Sequence, residues 1–306
     1  MRNVELVNSC KLGSMTERNS VAGKRVLITG ATGGIGLAAA IELARRGARL
    51  ALVARSETKA TDAVQQIRAG SSAGAEVDVL FADLESQASI RHLAAEVLER
   101  YPTLEVLVNN AGAVNAERRL TEDDIELTWA VNHLAPFLLT TLLLDRLKAS
   151  APARIVTTSS AAHQRARIAF DDMGGERAYG FSGFGRYSQT KLANILFTVE
   201  LARLLQGTGV TANCFHPGFV TTGFNRNNGP FMRFGMNPVR VFARSPEKGA
   251  ETLVWLVDSP EVSDQSGGYF FDKRLTSPSA AAQDADAARR LWAVSQEQTR
   301  ASAIRQ

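Results

Sequence analysis

The sequence is poor in the residues that build disulfide-stabilised, metal-binding and membrane-spanning proteins. Its 306 residues include two cysteines, Cys10 and Cys214, and no CxxC or Cys/His cluster, which argues against a disulfide framework or a zinc site. The longest nearly uncharged apolar stretch, residues 131–144, is too short to cross a bilayer, and residues 1–20 lack the apolar run of a secretory signal. We expect a cytoplasmic protein with free thiols and no bound metal.

The net charge of the chain is also small. Lysine and arginine number 35 against 31 aspartate and glutamate, and the net charge of +4 is dispersed apart from a stretch near residues 226–244. This distribution is too diffuse for a nucleic-acid reader. Hydrophobic residues make up 45% of the chain, which is enough for a large core and excludes a disordered protein.

Apolar runs of strand character alternate along the chain with longer helical segments. The runs cover residues 25–29, 49–54, 77–81, 104–109, 154–158, 210–215 and 268–271, and the helical segments cover 35–46, 57–69, 87–100, 121–148, 187–205 and 246–257. Strands that are apolar on both faces, each followed by a helix, form a parallel sheet covered on both sides. The sequence therefore predicts a single α/β domain of the Rossmann type, with a doubly wound seven-stranded parallel sheet. Ligands of such sheets bind beyond the carboxyl ends of the strands.

The first strand runs into a glycine-rich turn that precedes a helix. Glycine permits a tight turn and close approach of the backbone to a pyrophosphate, and a helix N-terminus offers free N–H groups with partial positive charge. A tight turn without a ligand is the alternative interpretation. The strand before and the helix after favour a dinucleotide site. Its predicted residues are Gly30, Thr32, Gly34, Ile35 and Gly36.

The end of the second strand bears on the choice between NAD and NADP. In a dinucleotide fold this end reaches the adenosine ribose, where a carboxylate binds the 2′-hydroxyl and an arginine accommodates a 2′-phosphate. Ala54 stands in the carboxylate's place and Arg55 follows it. The pattern favours NADP(H) over NAD(H), with a merely solvated Arg55 as the alternative.

Tyr187 and Lys191 are four residues apart in a helical segment, so that they share one helix face. A carbonyl that accepts a hydride becomes an alkoxide, which needs hydrogen-bond donors and then a proton. A phenol supplies both, and a nearby cation lowers its pKa from about 10. We therefore expect Tyr187 to be the general acid in reduction and the base in oxidation, with Lys191 as the cation that lowers its pKa.

These motifs together resemble the short-chain dehydrogenase/reductase family. The resemblance covers residues 23–272 and rests on Thr29-Gly-Ala-Thr-Gly-Gly-Ile-Gly36, Asn109-Asn-Ala-Gly112 and Tyr187-Ser-Gln-Thr-Lys191, each at the expected place after its strand. The stretches 131–140, 159–163 and 187–197 read most like the retinol-dehydrogenase and WW-domain-oxidoreductase group. The resemblance implies hydride transfer between a nicotinamide cofactor and an alcohol or carbonyl.

The resemblance also completes a catalytic tetrad. It implies that Ser160 orients and polarises the carbonyl, with Ser159 as the neighbouring alternative, and that Asn132 seats a water that relays protons toward Lys191. Lys191 would also hold the nicotinamide ribose. Without the resemblance, Asn132 is a polar residue that bends a helix and Ser160 belongs to a turn at a strand end.

Further cofactor contacts are implied by the same resemblance. Asp83 would accept from the adenine amino group or, alternatively, cap the next helix, and Thr222 would lie near the phosphates or cap a helix. The implied cofactor residues beyond the glycine turn are Arg55, Asp83, Leu84, Asn110, Ala111, Gly112, Tyr187, Lys191, Pro217, Gly218, Val220 and Thr222.

Aromatic and arginine residues interleave in the segment 223–245, where relatives place a mobile substrate lid. We predict an apolar substrate wall there, with His163 and the loop 165–184 at the pocket mouth. The predicted substrate-binding residues are Ser160, His163, Phe219 and Phe224, and they favour an apolar aldehyde, ketone or alcohol. The alternatives are a surface segment that packs on the core and a contact with a membrane surface.

The domain predicted over residues 23–272 leaves a polar leader, 1–22, and a C-terminal tail or helix, 273–306. The resemblance implies a homo-oligomer, a dimer or tetramer, formed through the helices 121–148 and 187–205. Two other functions stay open: a catalytically weak NADP-binding sensor or scaffold, and a sugar-nucleotide epimerase of the family's extended branch, which shares the glycine spacing. The Asn-Asn-Ala-Gly element and the complete tetrad favour the oxidoreductase.

Overall fold

A computed structural model describes residues 21–71, 74–177, 179–220 and 243–304. Its described part contains one eight-stranded sheet with the strand order β3-β2-β1-β4-β5-β6-β7-β8. The strands are β1 Arg25–Thr29, β2 Arg49–Ala54, β3 Val77–Phe81, β4 Val106–Asn109, β5 Ala153–Thr158, β6 Val210–Phe215, β7 Tyr269–Phe271 and β8 Arg274–Leu275. The first seven run parallel and confirm the predicted sheet, and β8 pairs antiparallel with β7.

Helices cover both faces of the sheet. In the described residues they are α1 Gly34–Arg45, α2 Glu57–Gly70, α3 Gln87–Arg100, α4 Leu127–Ala149, α5 Phe184–Leu204, α6 Pro246–Asp258 and α7 Ala285–Ile304. The doubly wound Rossmann-type prediction is confirmed. The reversal of strand order between β1 and β4 opens a crevice at their carboxyl ends, where such folds bind ligands.

Period-2 alternation along the central strands divides the core into two layers. Leu27 and Leu107 point to the layer under α3 and α4, whereas Val26, Ile28 and Val108 point to the layer under α1 and α6. All five side chains are fully buried. Because both faces are covered, the strands read as continuous apolar runs in the sequence, which explains why they were predictable.

Helix α4 begins at Leu127, later than the predicted residue 121. The Glu126 side chain accepts hydrogen bonds from the backbone N–H groups of Thr128 and Trp129 and so caps the helix. A π-helical segment, Ala130–Leu134, lies inside it. By length and composition α4 could cross a membrane, but 78% of its most apolar window is buried within the fold, which makes it the central core helix.

The C-terminal residues 285–304 form a packed helix rather than a tail. Trp292 of α7 contacts Phe137 of α4 and Phe197 of α5, with ring centroids 4.9 and 5.9 Å away. Ser295 hydrogen-bonds to the buried His133 ring. Helix α7 therefore lies on faces of the two helices through which an oligomer was expected, so that an oligomer must use other surfaces of them.

Candidate active site

The turn between β1 and α1 has the shape that a pyrophosphate cradle needs. Gly30 has a φ of +67°, and a Cβ atom added at Gly36 would come within 2.2 Å of the Gly30 carbonyl oxygen, so the turn tolerates no side chain there. A Cβ at Gly33 would meet no atom within 4 Å, because the outer side of the turn is open. Helix α1 begins at Gly34 without a side-chain cap, which leaves its first N–H groups for a ligand.

Asn110 fixes this turn to the end of β4. Its side-chain amide donates to the carbonyl oxygens of Thr29 and Gly30, each at 3.2 Å. The Thr29 hydroxyl in turn accepts from the backbone N–H groups of Asn110 and Ala111, at 3.0 and 3.1 Å. The Asn-Asn-Ala-Gly element thus joins the end of β4 to the glycine turn at the bottom of the crevice. Its small residues leave the space above it free.

The residues predicted for the adenosine lie together at the ends of β2 and β3. The exposed Arg55 donates to Glu85 at 2.9 Å and lies 3.9 Å from Asp83. Ser86, not Asp83, caps α3, so the helix-cap alternative for Asp83 is wrong. Leu84 packs on the core beside the crevice. The site thus combines the guanidinium of a long side chain with two carboxylates.

Tyr187, Lys191 and Ser160 converge at the end of β5. Tyr187 and Lys191 lie one turn apart on α5, with Lys191 Nζ 5.5 Å from the centre of the phenol ring. The Ser160 and Tyr187 side chains are hydrogen-bonded. The neighbouring Ser159 is buried and donates to the Lys191 carbonyl oxygen, so Ser160 is the serine that faces the phenol.

Asn132 completes the group from the π-helical segment of α4. Its side chain accepts from Ala113 N–H at 2.7 Å and donates to the Ala113 carbonyl at 2.8 Å and to Thr190 at 3.1 Å. A Cβ atom at Gly112 would lie 3.3 Å from Asn132 Oδ1 and 3.4 Å from Lys191 Nζ. Gly112 is therefore what lets the amide and the ammonium lie side by side.

Lys191 is a buried cation without a carboxylate partner among the described residues. It is 2% exposed, and its Nζ donates to the Thr158 carbonyl oxygen at 3.1 Å. Asn194 donates to the same oxygen at 3.2 Å. Thr158, Thr190 and Asn194 thus hold the tetrad in place. Thr190 and Asn194 could have been predicted from the sequence, because each lies three residues after Tyr187 or Lys191 on α5.

Burial dominates the acid–base properties of the site. It raises the pKa of Tyr187 to about 12, although the hydrogen bond with Ser160 acts in the opposite direction. It lowers the pKa of Lys191 to about 8. Desolvation of the phenolate is the largest cause of the rise in the pKa of Tyr187, and the expectation that Lys191 lowers this pKa stays a prediction.

The segment after β6 closes the other side of the crevice. Gly218 has a φ of +80° in the turn after Pro217. Val220 bridges to Arg244, and a Cβ atom at Gly249 of α6 would lie 2.7 Å from the Val220 side chain and 3.3 Å from Ile35. The packing thus brings Val220 against the glycine turn. Thr222 and residues 223–242 of the predicted lid, Phe224 among them, lie outside the described residues.

One residue predicted for the pocket mouth is placed elsewhere. His163 is completely buried beneath Ser160, and its two ring nitrogens contact the Ser160 carbonyl oxygen and Ser279 N–H. The prediction that it lines the mouth is wrong, because the turn after Ser160 directs the ring into the core. Phe219, in contrast, is 46% exposed.

Phe184, the last residue of the loop predicted at the pocket mouth, lies beside the phenol. It is 53% exposed, and its ring centroid lies 5.9 Å from that of Tyr187. A Cβ atom at the preceding Gly183 would come within 1.8 Å of the Asn115 carbonyl oxygen, so this close approach fixes the start of α5. The spacing of three between Phe184 and Tyr187 was a second signal, beside the place of Phe184 in the predicted loop 165–184.

The sequence matches the family described as short chain dehydrogenase over residues 24–232. The chain belongs to this family. Human retinol dehydrogenase 13 is 42% identical over 289 residues, which span 92% of this chain and 86% of that protein. Human retinol dehydrogenase 14 is 43% identical over 289 residues, spanning 90% of this chain and 85% of that protein.

Solved structures agree with the family. A short-chain dehydrogenase from Burkholderia cenocepacia in complex with NADP has a TM-score of 0.66 and 28% identity, and covers 87% of this chain and 100% of that chain. This short-chain dehydrogenase is therefore an oxidoreductase of the retinol dehydrogenase-like group that acts on CH–OH donors, and a nicotinamide cofactor is supported. The open outer side of the glycine turn and the uncapped start of α1 fit such a cofactor.

Proposed function

We propose that this short-chain dehydrogenase interconverts an apolar aldehyde or ketone and its alcohol with NADP(H). The observation that carries the proposal is the convergence of Ser160, Tyr187 and Lys191 at the crevice beside the glycine turn. Phe184 and Phe219 are exposed aromatic residues at the same edge of the sheet, and Phe184 lies next to the Tyr187 ring. They favour an apolar substrate over a phosphorylated one.

Ser160 and Tyr187 perform the acid–base part of the reaction. When bound, a reduced nicotinamide cofactor supplies the hydride. The two hydroxyl groups donate hydrogen bonds to the carbonyl oxygen of the substrate, where negative charge develops. Tyr187 then gives its proton to that oxygen, and its phenol is restored from solvent.

Lys191 and Asn132 support this proton transfer. The Lys191 ammonium stabilises the phenolate that the transfer leaves. We assign to Lys191 the further role of holding the nicotinamide ribose. Because Asn132 is braced by Ala113 and Thr190, its main role is to keep the strand-end loop beside Lys191 rather than to bind a water alone.

The preference for NADP(H) rests on Arg55 and the neutral Ala54. Arg55 is exposed and is paired with Glu85, so its guanidinium can turn from this carboxylate to a phosphate. Arg55→Ala should weaken NADPH binding by about tenfold and leave NADH binding unchanged, since one charge-assisted hydrogen bond contributes about 1.5 kcal/mol. Arg100→Ala, which breaks an exposed pair with Glu96, is the control. A clear preference of the wild-type protein for NADH would contradict the assignment.

The decisive experiment is NADPH oxidation against a panel of apolar aldehydes and ketones. We expect turnover with at least one of them and its loss in Tyr187→Phe, while NADPH binding, measured by fluorescence, persists. Full hydride transfer by Tyr187→Phe would refute the role of the phenol. Cofactor binding without turnover of any carbonyl or alcohol would instead favour the sensor.

A further inference from the structure

Through its side chain, His163 makes hydrogen bonds to Ser160, Tyr269 and Ser279 and so joins distant parts of the chain. It lies in the 3-10 turn Ala161–Arg165, directly after Ser160, and is completely buried. Its Nδ1 lies 2.7 Å from the Ser160 carbonyl oxygen. Its Nε2 lies 3.2 Å from the backbone nitrogen of Ser279, 116 positions further along the chain. The ring therefore connects the serine of the tetrad to the segment that leads into α7.

These partners define the tautomer of the ring. A carbonyl oxygen only accepts, so Nδ1 must carry the hydrogen; a backbone N–H only donates, so Nε2 must be unprotonated. The imidazole is thus neutral and has one orientation in which both bonds form. Burial lowers the pKa of His163, which agrees with a neutral ring. Tyr269 packs edge-on against it, with centroids 4.9 Å apart, and the Tyr269 hydroxyl lies 3.4 Å from Nδ1, where it can accept from the same N–H.

The bond from the His163 ring adds to the backbone bond by which the Ser160 carbonyl oxygen accepts from His163 N–H at 3.2 Å. The Ser160 hydroxyl accepts from Ala162 N–H at 3.2 Å and is hydrogen-bonded to Tyr187. The orientation of this hydroxyl depends on the backbone that carries it, and the Ser160 carbonyl is the nearest backbone group that an outside side chain holds. A shift of this backbone would move the hydroxyl away from both Tyr187 and a bound carbonyl.

We infer that His163 is a positioning residue for Ser160, which it holds in register with Tyr187 through its Nδ1–H bond to the Ser160 carbonyl, while Ser279 N–H locks the tautomer that makes this bond possible. The inference rests on the proposed function, since it concerns the same serine. It differs from a merely structural role, in which His163 would tie the C-terminal segment to the core without affecting the reaction.

Two conservative variants separate these roles, because each keeps one half of the imidazole. The Asn side chain in His163→Asn places an amide nitrogen near the position of Nδ1, where it can donate to Ser160 but cannot reach Ser279. The Gln side chain in His163→Gln places an amide oxygen near the position of Nε2, where it can accept from Ser279 N–H, but it removes the side-chain bond to the Ser160 carbonyl, which keeps only its bond from the backbone N–H of residue 163. The variants thus exchange one bond for the other in the same cavity.

The positioning role predicts opposite outcomes for activity and stability. With the best carbonyl of the panel, His163→Gln should lower kcat about tenfold, the effect of one buried hydrogen bond, with an unchanged KM for NADPH and a melting temperature near that of the wild type. His163→Asn should retain kcat within about twofold and have a lower melting temperature. A kcat that follows the melting temperature across both variants would overturn the inference.

The variant Ser279→Pro tests whether Ser279 N–H fixes the tautomer of His163, and it leaves His163 itself unchanged. The φ of Ser279 is −59°, which proline adopts, and its hydroxyl is buried without a partner, so the exchange removes chiefly the backbone N–H. We expect this variant to have a several-fold lower kcat. An unchanged kcat would contradict the role of Ser279 N–H in fixing the tautomer.

The ring nitrogens give a readout that needs no substrate. In ¹⁵N-histidine-labelled wild-type protein, NMR should show the His163 hydrogen on Nδ1, and a hydrogen on Nε2 would overturn the inference even if a carbonyl substrate is found. If no carbonyl or alcohol is turned over, the proposed function fails. The spectrum still decides whether the His163 ring is hydrogen-bonded to both Ser160 and Ser279.

Discussion

The buried ion pair between Glu126 and Arg186 gives a sharp prediction about stability. The two side chains are 0% and 1% exposed, and Arg186 Nε lies 2.8 Å from Glu126 Oε2. Glu126 caps α4, which carries Asn132, and Arg186 precedes Tyr187 on α5. The pair therefore joins the two helices that carry the tetrad. The perturbation is Arg186→Met, which keeps an apolar stem of similar length and removes the charge.

The contacts of the two side chains set the expected magnitude. Removing one partner of a buried ion pair costs about 3–5 kcal/mol. After the exchange Glu126 keeps three donors, Thr128 N–H, Trp129 N–H and the Tyr179 hydroxyl, which places this part at the lower end of the range. The Met173 carbonyl oxygen also loses its bond to Arg186, at about 1 kcal/mol. We expect the free energy of unfolding to fall by about 4 kcal/mol, equivalent to roughly 10 °C in Tm.

Urea unfolding followed by tryptophan fluorescence and circular dichroism measures this loss, since the midpoint shifts while the slope m stays constant. Arg100→Met is the matched control, because it breaks an exposed pair with Glu96 in which both side chains are 42% exposed. It should cost less than about 1 kcal/mol. The double variant Glu126→Gln/Arg186→Met leaves no unpaired charge and should be more stable than Arg186→Met.

Two results would refute this reasoning. An Arg186→Met protein as stable as Arg100→Met would mean that burial does not isolate the pair from water. A double variant no more stable than the single one would mean that the loss comes from packing, including the contact of the Arg186 guanidinium with the Trp129 ring at 4.7 Å, and not from the unpaired carboxylate.

Three further predictions concern titration and the C-terminal helix. Burial lowers the pKa of His133 from 6.5 to about 3, so the unfolded chain binds a proton that the folded chain does not, and the free energy of unfolding should fall between pH 6.5 and pH 4. His133→Phe should remove this part of the slope in urea titrations, and an unchanged slope would contradict it. Burial lowers the pKa of Lys191 from 10.5 to about 8, so between these pH values the unfolded chain binds more protons than the folded chain. The free energy of unfolding of the wild type should therefore rise relative to that of Lys191→Met from pH 8 to pH 10. Parallel curves of this free energy against pH would argue against a buried ammonium. Trp292→Ala should cost about 3 kcal/mol and expose Phe137 and Phe197, with more self-association in analytical ultracentrifugation, whereas a monodisperse and fully stable variant would show that α7 does not protect this face.

The strands were predictable because their burial leaves a local signature. Each predicted run overlaps the corresponding strand, with ends that differ by two residues at most, as at Val106 of β4. The strand β8 escaped prediction because its two residues are too few for a pattern. Residues 121–126 read as helix, but Leu120 and Glu126 pair in an antiparallel bridge, and the Glu126 carboxylate starts the helix at Leu127.

The members of the candidate site were predictable, whereas their environment was not. Ser160, Tyr187 and Lys191 stand in recognisable motifs after their strands. The place of His163 depends on Ser279, which no local pattern connects to it, and the pKa of Tyr187 depends on burial, which residue type alone does not give. The cytoplasmic location and the bounds of the domain stay predictions.

The contact between His163 and Ser279 has a consequence for the order in which the fold is completed. During synthesis, every tetrad residue leaves the ribosome before Ser279 and α7 do, and domains begin to fold from the N-terminal side. A nascent chain can therefore pair its seven parallel strands while the His163 ring still lacks its hydrogen bond from Ser279 N–H, and while Trp292 does not yet cover Phe137 and Phe197. Ser279 and α7 then complete the hydrogen bonds of the His163 ring and cover this apolar face.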